Sequence, residues 1–473
     1  MFGRSNTVSF NTARRRDRVR ILLCATNLCA LPAHAQVAGT PAPHANAFDT
    51  AVVAKPVGDT AEQTFALHAQ ATFVVQGDPA FHAAFAGDNS LRARGETRET
   101  ADFTIFGGVR PWRGAALWIN PEIDQGFGLT NTIGVAGFPS GEAYKIGKKA
   151  PYFRLQRLFF RQTIGLGGER EAVAADLNQL GGSRALNRVV ITLGRFGVDD
   201  VFDSNVYAHD PRADFLNWTL LDSGSFDYAA DAWGYSTGGA VELYRGRYAL
   251  RAGLFNLSKV PNSVSLERDF HQYQLIAEAE EDHTIGGRAG RVKLTGYVSH
   301  GDMARLDDAT ALARATATVP DVALVRRFAS RFGVSLNLEQ SVTDNLGIFA
   351  RAGIADGRYE AFEFTDVDRS FAAGLSLKGT GWGRADDRIG AAAVVNQASA
   401  ARLRYLAAGG LGILTGDGAL LRPGDEQIIE TYYVYAMCKA AHLTVDFQLL
   451  DHPAYNRDRG PVAVFAARFH VQY

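Results

Sequence analysis

The sequence predicts an all-β fold, a transmembrane antiparallel β-barrel of about 16 strands with short periplasmic turns and long extracellular loops. Three observations predict it. Apolar and polar residues alternate with a period of two in segments of about 9–11 residues, the length of a tilted membrane strand. The connections between these segments alternate between short and long, as membrane barrels require. The last segment puts Ala463, Phe465, Ala467, Phe469, Val471 and Tyr473 on one face and Ala466, Arg468, His470 and Gln472 on the other. An apolar face with an aromatic at its end is what a bilayer interface selects.

The N-terminus reads as an export signal over residues 1–35. Arg14, Arg15, Arg16, Arg18 and Arg20 precede a short apolar stretch, Ile21 to Leu31, and Ala33-His34-Ala35 has the small-x-small form of a cleavage site. The processed chain then starts at Gln36 and keeps only Cys438, because Cys24 and Cys29 fall in the removed segment. Residues 36–64 form a periplasmic N-terminal segment, too short for a plug domain, and 65–473 form the barrel. Beyond Leu31 the sequence has no apolar run of the ~18 residues that a spanning helix needs.

Sixteen strands are expected near 65–76, 98–110, 114–124, 152–164, 188–196, 233–244, 248–255, 271–280, 290–300, 331–340, 345–355, 368–378, 387–396, 427–436, 441–450 and 462–473. In the first, Leu67, Ala69, Ala71, Phe73 and Val75 alternate with His68, Gln70, Thr72 and Gln76. In the tenth, Phe332, Val334, Leu336 and Leu338 alternate with Arg331, Ser335, Asn337 and Glu339. Strand length and loop parity favour the arrangement with apolar residues outside and polar residues inside, the inverse of a soluble sandwich. The long connections include 77–97, 125–151, 197–232, 301–330 and 397–426. The piece 165–187 breaks the parity: it is long on the short-turn side and has a helix-like core from Glu169 to Leu180. The acidic segment 197–232 either folds inward and narrows the lumen or caps it.

Charge is balanced, 49 Lys+Arg against 50 Asp+Glu, so nothing favours nucleic acid as a partner. No G-x-S-x-G, H-E-x-x-H, dinucleotide-loop or P-loop pattern occurs, and His and Cys lack metal-ligand spacing. Neither an enzyme activity nor a cofactor is therefore expected. The informative charges lie on the polar strand faces: Arg157 and Arg161 on one strand, Glu122 and Asp124 ending another, and Glu430, Asp446, Gln448 and Arg468 on the last three. Arg251, Lys293 and Arg351 stand as isolated bases. Such residues hold water and set opposing fields in a channel. Their fixed donors and acceptors also suit sugar hydroxyls. Arg157 and Arg161 lie about 13 Å apart by strand rise and are expected to donate to sugars, with Glu430 and Asp446 as acceptors and counter-charges. The other readings are a barrel without sugar preference, a barrel enzyme acting on lipid or peptide, and a secreted soluble β-protein.

A set of stretches in fixed order carries a family resemblance. They are Gly108-Val-Arg-Pro-Trp-Arg-Gly114, Trp118-Ile-Asn-Pro-Glu-Ile-Asp-Gln-Gly126, Gly137-Phe-Pro-Ser-Gly-Glu-Ala-Tyr144, Pro151-Tyr-Phe-Arg-Leu-Gln-Arg-Leu-Phe-Phe-Arg-Gln162, Gly194-Arg-Phe196, Asp210-Pro-Arg212 and Phe215-Leu-Asn-Trp218. Glu430-Thr-Tyr-Tyr433, Leu443-Thr-Val-Asp-Phe-Gln448 and Pro453-Ala-Tyr-Asn-Arg-Asp-Arg-Gly-Pro461 follow. Through them most of the chain after residue 36 resembles the carbohydrate-selective, OprB-type porins. The resemblance implies a sixteen-stranded barrel in the outer membrane of a diderm bacterium, with passive diffusion of small carbohydrates. Its further partners are membrane lipid and the barrel-assembly machinery, reached through the C-terminal strand. It also implies an arginine-rich constriction at Arg154, Arg157 and Arg161. Strict alternation puts Arg154 on the face opposite Arg157. Gln156 stands where the family favours proline, which leaves the strand geometry beside the arginines open.

Overall fold

The computed structural model describes residues 62–143 and 146–473, so the expected export signal and all but the end of segment 36–64 lie outside the described residues. The chain forms β1 (Phe65–Asp78), β2 (Glu96–Val109), β3 (Ala115–Gly126), β4 (Lys148–Gly165), β5 (Arg170–Val173), β6 (Gly182–Ala185), β7 (Arg188–Phe196), β8 (Ser236–Arg245) and β9 (Tyr248–Asn256). There follow β10 (Tyr273–Ile285), β11 (Arg288–Met303), β12 (Arg327–Ser341), β13 (Leu346–Ala355), β14 (Arg369–Lys378), β15 (Arg388–Gln397), β16 (Glu426–Cys438), β17 (Ala441–Asp451) and β18 (Val462–Gln472). All but β5 and β6 join one closed barrel in which each strand pairs with its sequence neighbours, β4 pairs with β7, and β18 returns to β1. The closing register sets Phe73 opposite Phe469 and Ala71 opposite Val471, all antiparallel. Closure leaves no unpaired edge. All sixteen expected strands are present.

The alternation sorts side chains as expected. Along β1 Leu67 is 61% exposed while Ala66 is 3% exposed, and the same contrast runs through β2, β3, β12 and β18. Phe103, Ile119, Leu250, Leu294, Phe332, Phe371 and Val445 belong to the exposed outer band. Arg331, Arg351 and Arg468 lie fully buried on the lumenal side. Antiparallel order gathers the short turns at one end and the long loops at the other. Two of the long loops hold short helices, α2 (Leu306–Thr316) and α3 (Ala400–Ala407), which pack together through Leu306, Ala309, Ala401 and Tyr405. The third long loop carries a single helical turn, α1 (Trp218–Leu221), capped by the Asn217 side chain.

Three expectations are corrected. Residues 169–180 are not helical: β5 and β6 form an antiparallel hairpin with Arg170 opposite Ala185. Asp176 and Gln179 bond to each other through their backbones, and Asn178 takes a left-handed conformation (φ 54°), so the segment turns sharply where a helix would continue. Arg154 does not face away from Arg157. The β3–β4 register shifts between Asn120 and Pro121, so that Asn120 pairs with Arg157 and Pro121 with Leu155. Gln156 is the extra residue, and this bulge brings Arg154, Gln156 and Arg157 to the lumen together. Proline has no N–H to give the ladder, which is why strand prolines settle at bulges. Arg251, Lys293 and Arg351 are not isolated. Arg251 bonds to Glu242, Glu278 and Glu280, and Lys293 reaches Glu280 and Ser204. Arg351 donates to the carbonyls of Leu220 and Asp203.

Candidate functional site

The third long loop, residues 197–235, folds into the barrel rather than over it. Lumenal charges hold it by its backbone. Glu430 accepts from the N–H groups of Leu216 (2.5 Å) and Asn217 (2.9 Å), and Glu278 accepts from the Asp203 N–H (2.8 Å). Glu339 accepts from the Val206 N–H (2.9 Å), and Arg468 donates to the carbonyls of Pro211 and Asp214. Asp227 lies at the centre of a second knot. It takes Arg331 (2.6 Å) and the N–H groups of Phe362, Glu363 and Phe364, which join this loop to the loop after β13. Trp218 stacks on Phe138 (centroids 5.1 Å) and leans on Phe364 (5.1 Å) and Tyr228 (5.8 Å). Loop backbone inside a barrel must find partners for every N–H and C=O, and these side chains supply them.

Against the β4–β7 wall the arginines form a ladder. Arg154 and Arg195 both donate to Asp231 Oδ2, at 3.0 and 2.6 Å. The Arg154 guanidinium lies 3.4 Å from the centroid of the Trp233 ring, whose Nε1 donates to the Tyr152 hydroxyl (3.0 Å). Next along β4, Arg157 grips Asp200 with two parallel bonds of 2.8 and 2.6 Å and lies over Tyr235. Burial pushes the Asp200 carboxyl up, but Arg157 outweighs it and holds the carboxyl below its ordinary range. Asp199 beside it is pushed up to about 7 by burial and by the Asp200 charge. Arg161 closes the ladder: it donates to Thr192 Oγ1 (3.3 Å) and to the Asn178 carbonyl (3.1 Å) and lies over Phe159. Gly194 lets β7 approach β4 here; its φ is 135°, and a Cβ would stand 2.4 Å from the Leu158 carbonyl oxygen.

A cavity of about 390 Å³ adjoins the ladder at the long-loop end, lined by Arg154, Arg195, Asp231, Asn256, Lys259 and Glu267. A second, of about 150 Å³, adjoins Arg161 at the other end. The ladder therefore lies between two cavities, with guanidinium donors, carboxylate acceptors and ring faces along one wall.

The nine residues singled out in the sequence all sit on lumenal faces but divide into three groups. Arg154, Arg157 and Arg161 line the ladder. Glu122 and Asp124 are buried behind it: Gln156 Nε2 lies 2.9 Å from Glu122 Oε1 and 3.4 Å from Asp124 Oδ2, and Arg212 approaches Glu122, Asp102 and Glu142 at 3.8, 3.6 and 3.5 Å. Glu430, Asp446, Gln448 and Arg468 are buried under the inserted loop, where Gln448 binds Asn217, Pro139 and Asp446. The expected facing of Arg157 and Arg161 against Glu430 and Asp446 is thus replaced by two separate sets, because the loop takes Glu430 and Arg468 for its own backbone. Sequence reasoning missed Arg195, Asp200, Asp231, Trp233 and Tyr235. Arg195 stood within the quoted Gly194-Arg-Phe196, and the loop's many aspartates were seen without their partners.

Among solved structures, the high-pH form of Pseudomonas putida OprB aligns with a TM-score of 0.64 at 16% identity, over 87% of this chain and 94% of that one. The low-pH form gives 0.47 at 13% identity, over 87% and 93%. The outer-membrane channel DcaP of Acinetobacter baumannii gives 0.45 at 10%, over 86% and 97%. No curated protein matches the chain. The family model described as carbohydrate-selective porin, OprB family, matches residues 88–473, and the chain belongs to that family.

Proposed function

We propose that small neutral sugars cross this outer-membrane porin by passive diffusion along the β4–β7 wall, between its two cavities. The observation that carries the reading is the ladder of Arg154, Arg195, Arg157 and Arg161, with Trp233, Tyr235 and Phe159 under three of the guanidinium groups. A neutral sugar gains nothing from net charge. It is recognised by donors and acceptors at fixed spacing and by rings that meet its C–H faces. Arginine forks supply donors, Asp231 and Asp200 supply acceptors, and burial of the ion pairs keeps both in place. The process needs neither cofactor nor energy coupling, and the fold and family are those of a channel rather than an enzyme.

Several further assignments belong to this reading. The long loops face the exterior and the short turns the periplasm. Residues 1–35 direct export, and the apolar outer band meets membrane lipid. The terminal strand addresses the barrel-assembly machinery. Arg157→Lys tests the role of the ladder, since it keeps the charge but loses the planar fork. In reconstituted vesicles glucose flux should fall at least fivefold while ion conductance changes by less than half. Equal changes in both would reduce the wall to a wet lining without sugar preference.

A further inference from the structure

At the long-loop end of β12, β13 and β14 the outward face of the barrel carries a charge among apolar neighbours. Phe332 is 57% exposed, Val334 43%, Ile354 45% and Phe371 57%. The pairing register sets Val334 beside Ile354, Ile354 beside Arg369, and Arg369 beside Gln397. Arg369 is exposed and stands two residues before Phe371, so strand alternation puts both on the outward face. A basic side chain is tolerated on the lipid face of a barrel only near the interface, where headgroups begin.

Arg369 also borders a cavity of about 500 Å³ on this face, within the roughly 300–1,000 Å³ of small-molecule sites. Phe332, Val334 and Ile354 line its apolar side, Asp307 and Arg404 come from α2 and α3, and Arg358 comes from the loop after β13. The carboxylates at the cavity are already taken. Arg404 binds Asp307 (2.8 Å) and Arg358 binds Asp356 (2.6 Å). Asp368 is buried between Arg402 and Arg331. Gln397, beside Arg369, gives its amide to Asp425 (2.7 Å). Among the described residues the Arg369 side chain has no ion-pair or hydrogen-bond partner. Arg358 and Arg404 keep 60% and 50% of their side-chain surface exposed beside their carboxylates.

From this we infer that the groove holds a phosphorylated glycolipid of the outer leaflet, its headgroup phosphate on Arg369 and one acyl chain along Phe332, Val334 and Ile354. A guanidinium meets a phosphate with two parallel bonds, and no carboxylate of the chain takes that place on Arg369. Arg358 and Arg404 can each add a donor without leaving their carboxylates, since a guanidinium carries five N–H groups. The apolar side of the groove continues into the lipid-facing band, so the chain needs no enclosure. A phosphate borne on an acylated sugar is what the outer leaflet presents, and the choice of leaflet rests on the reading that the long loops face the exterior.

The test uses the purified barrel in detergent and native mass spectrometry. Its probes are diphosphorylated lipid A, the same lipid with both phosphates removed, and phosphatidylglycerol. The native protein should bind one diphosphorylated lipid A at a concentration at least fivefold below that needed for either other lipid. Arg369→Gln should raise that concentration at least fivefold, Arg358→Gln about twofold, and Arg369→Lys should recover part of the loss. Arg314→Gln, on α2 but outside the lining of the groove, should leave it unchanged. Equal binding of the dephosphorylated lipid overturns the phosphate contact, and equal binding of phosphatidylglycerol overturns the glycolipid assignment. Displacement of lipid A by millimolar inorganic phosphate overturns the role of the acyl chain. Barrels that pair with each other through this face, and lose the pairing in Arg369→Gln, would make the occupant a second copy and overturn the lipid. If Arg369→Gln loses heat-modifiable migration, Arg369→Lys and the three-lipid comparison in the native protein decide. Binding in detergent is independent of orientation, which is read separately from Thr318→Cys in a Cys438→Ser background with an impermeant thiol reagent on intact cells. Absence of labelling at this exposed position sinks the orientation and the leaflet, while the lipid comparison alone decides the site, so the two readings fail separately.

Discussion

Asp231→Asn isolates the ladder from the loop that carries it. Asp231 Oδ1 accepts from the Trp233 N–H (3.0 Å) and faces the Tyr235 N–H, while Oδ2 takes both Arg154 and Arg195. Asparagine can keep the first set through its carbonyl and so hold the turn. It then presents an amide N–H₂ to two guanidinium groups. A unit pair about 4 Å apart is worth about 4 kcal/mol at an effective dielectric of 20. The two arginine side chains are 21% and 20% exposed, so roughly 2 kcal/mol per pair is a fair discount for solvent. That exceeds the ~1 kcal/mol that holds Arg154 over Trp233, and Arg154 should leave the ring. The lumen gains one positive charge and loses one fixed acceptor. The expected result is a reversal potential shifted towards anions and a glucose half-blocking concentration raised about tenfold, equal to about 1.4 kcal/mol. Asp231→Glu should retain selectivity. Unchanged reversal potential and block in a folded Asp231→Asn barrel would refute the claim that this carboxylate sets the passage.

Three other outcomes follow from the same geometry. Deleting 203–227 removes the inserted loop's anchors at Glu278, Glu430 and Arg331 and should raise single-channel conductance several-fold; an unchanged value in an assembled barrel would mean that the loop does not limit the passage. Deleting Phe469–Tyr473 strips pairing from β1 and β17 together; each backbone group left bare in lipid costs several kcal/mol, so heat-modifiable barrel should be lost from the outer membrane. His209, 3.6 Å from Asp222, is lifted to about 9, because the Asp222 carboxylate and the neighbouring Asp199 charge outweigh burial. A raised folded-state pKa gives stability that is full below about 6.5 and lost as pH climbs through about 9. The inserted loop should therefore loosen by on the order of 2 kcal/mol over that window, read as rising conductance noise that His209→Gln abolishes.

Strand positions were legible because a membrane enforces them: a residue on the lipid face has no alternative to being apolar, so a period-two pattern survives along every strand. The lumenal face of the charges, Arg154 excepted, was legible for the same reason. What each charge does was not, since partners such as Glu430 with Leu216 lie 214 residues apart and leave no local trace. The bulge was half legible. Pro121 inside an otherwise regular strand is a bulge signal, but it sits on β3 while its consequence, Arg154 turned inward, appears on β4. The hairpin at 170–185 was misread because its apolar spacing resembles a helical stripe; Asn178, Gly181 and Gly182 were the turn residues that argued otherwise.

Burial of charge separates filler from passage in this lumen. Arg331, Arg351, Arg402 and Arg468 are each 2% exposed or less. Each has carboxylates or backbone carbonyls close by: Asp227 and Asp368 for Arg331, Asp203 and Leu220 for Arg351, Asp366 and Asp368 for Arg402. Taking such groups out of water is costly and is recovered only through partners of this kind, so these arginines serve to seat loops. Arg154, Arg157 and Arg195 keep 16–21% of their side-chain surface and stand beside an open cavity or a ring face. A guanidinium that is ion-paired yet still wet can exchange a water for a sugar hydroxyl without breaking its pair, whereas a sealed one cannot. On the proposed reading the sugar follows the partly exposed arginines on β4 and β7, while Glu278, Glu339, Glu430 and Arg468 on the rest of the wall hold the inserted loop by its backbone.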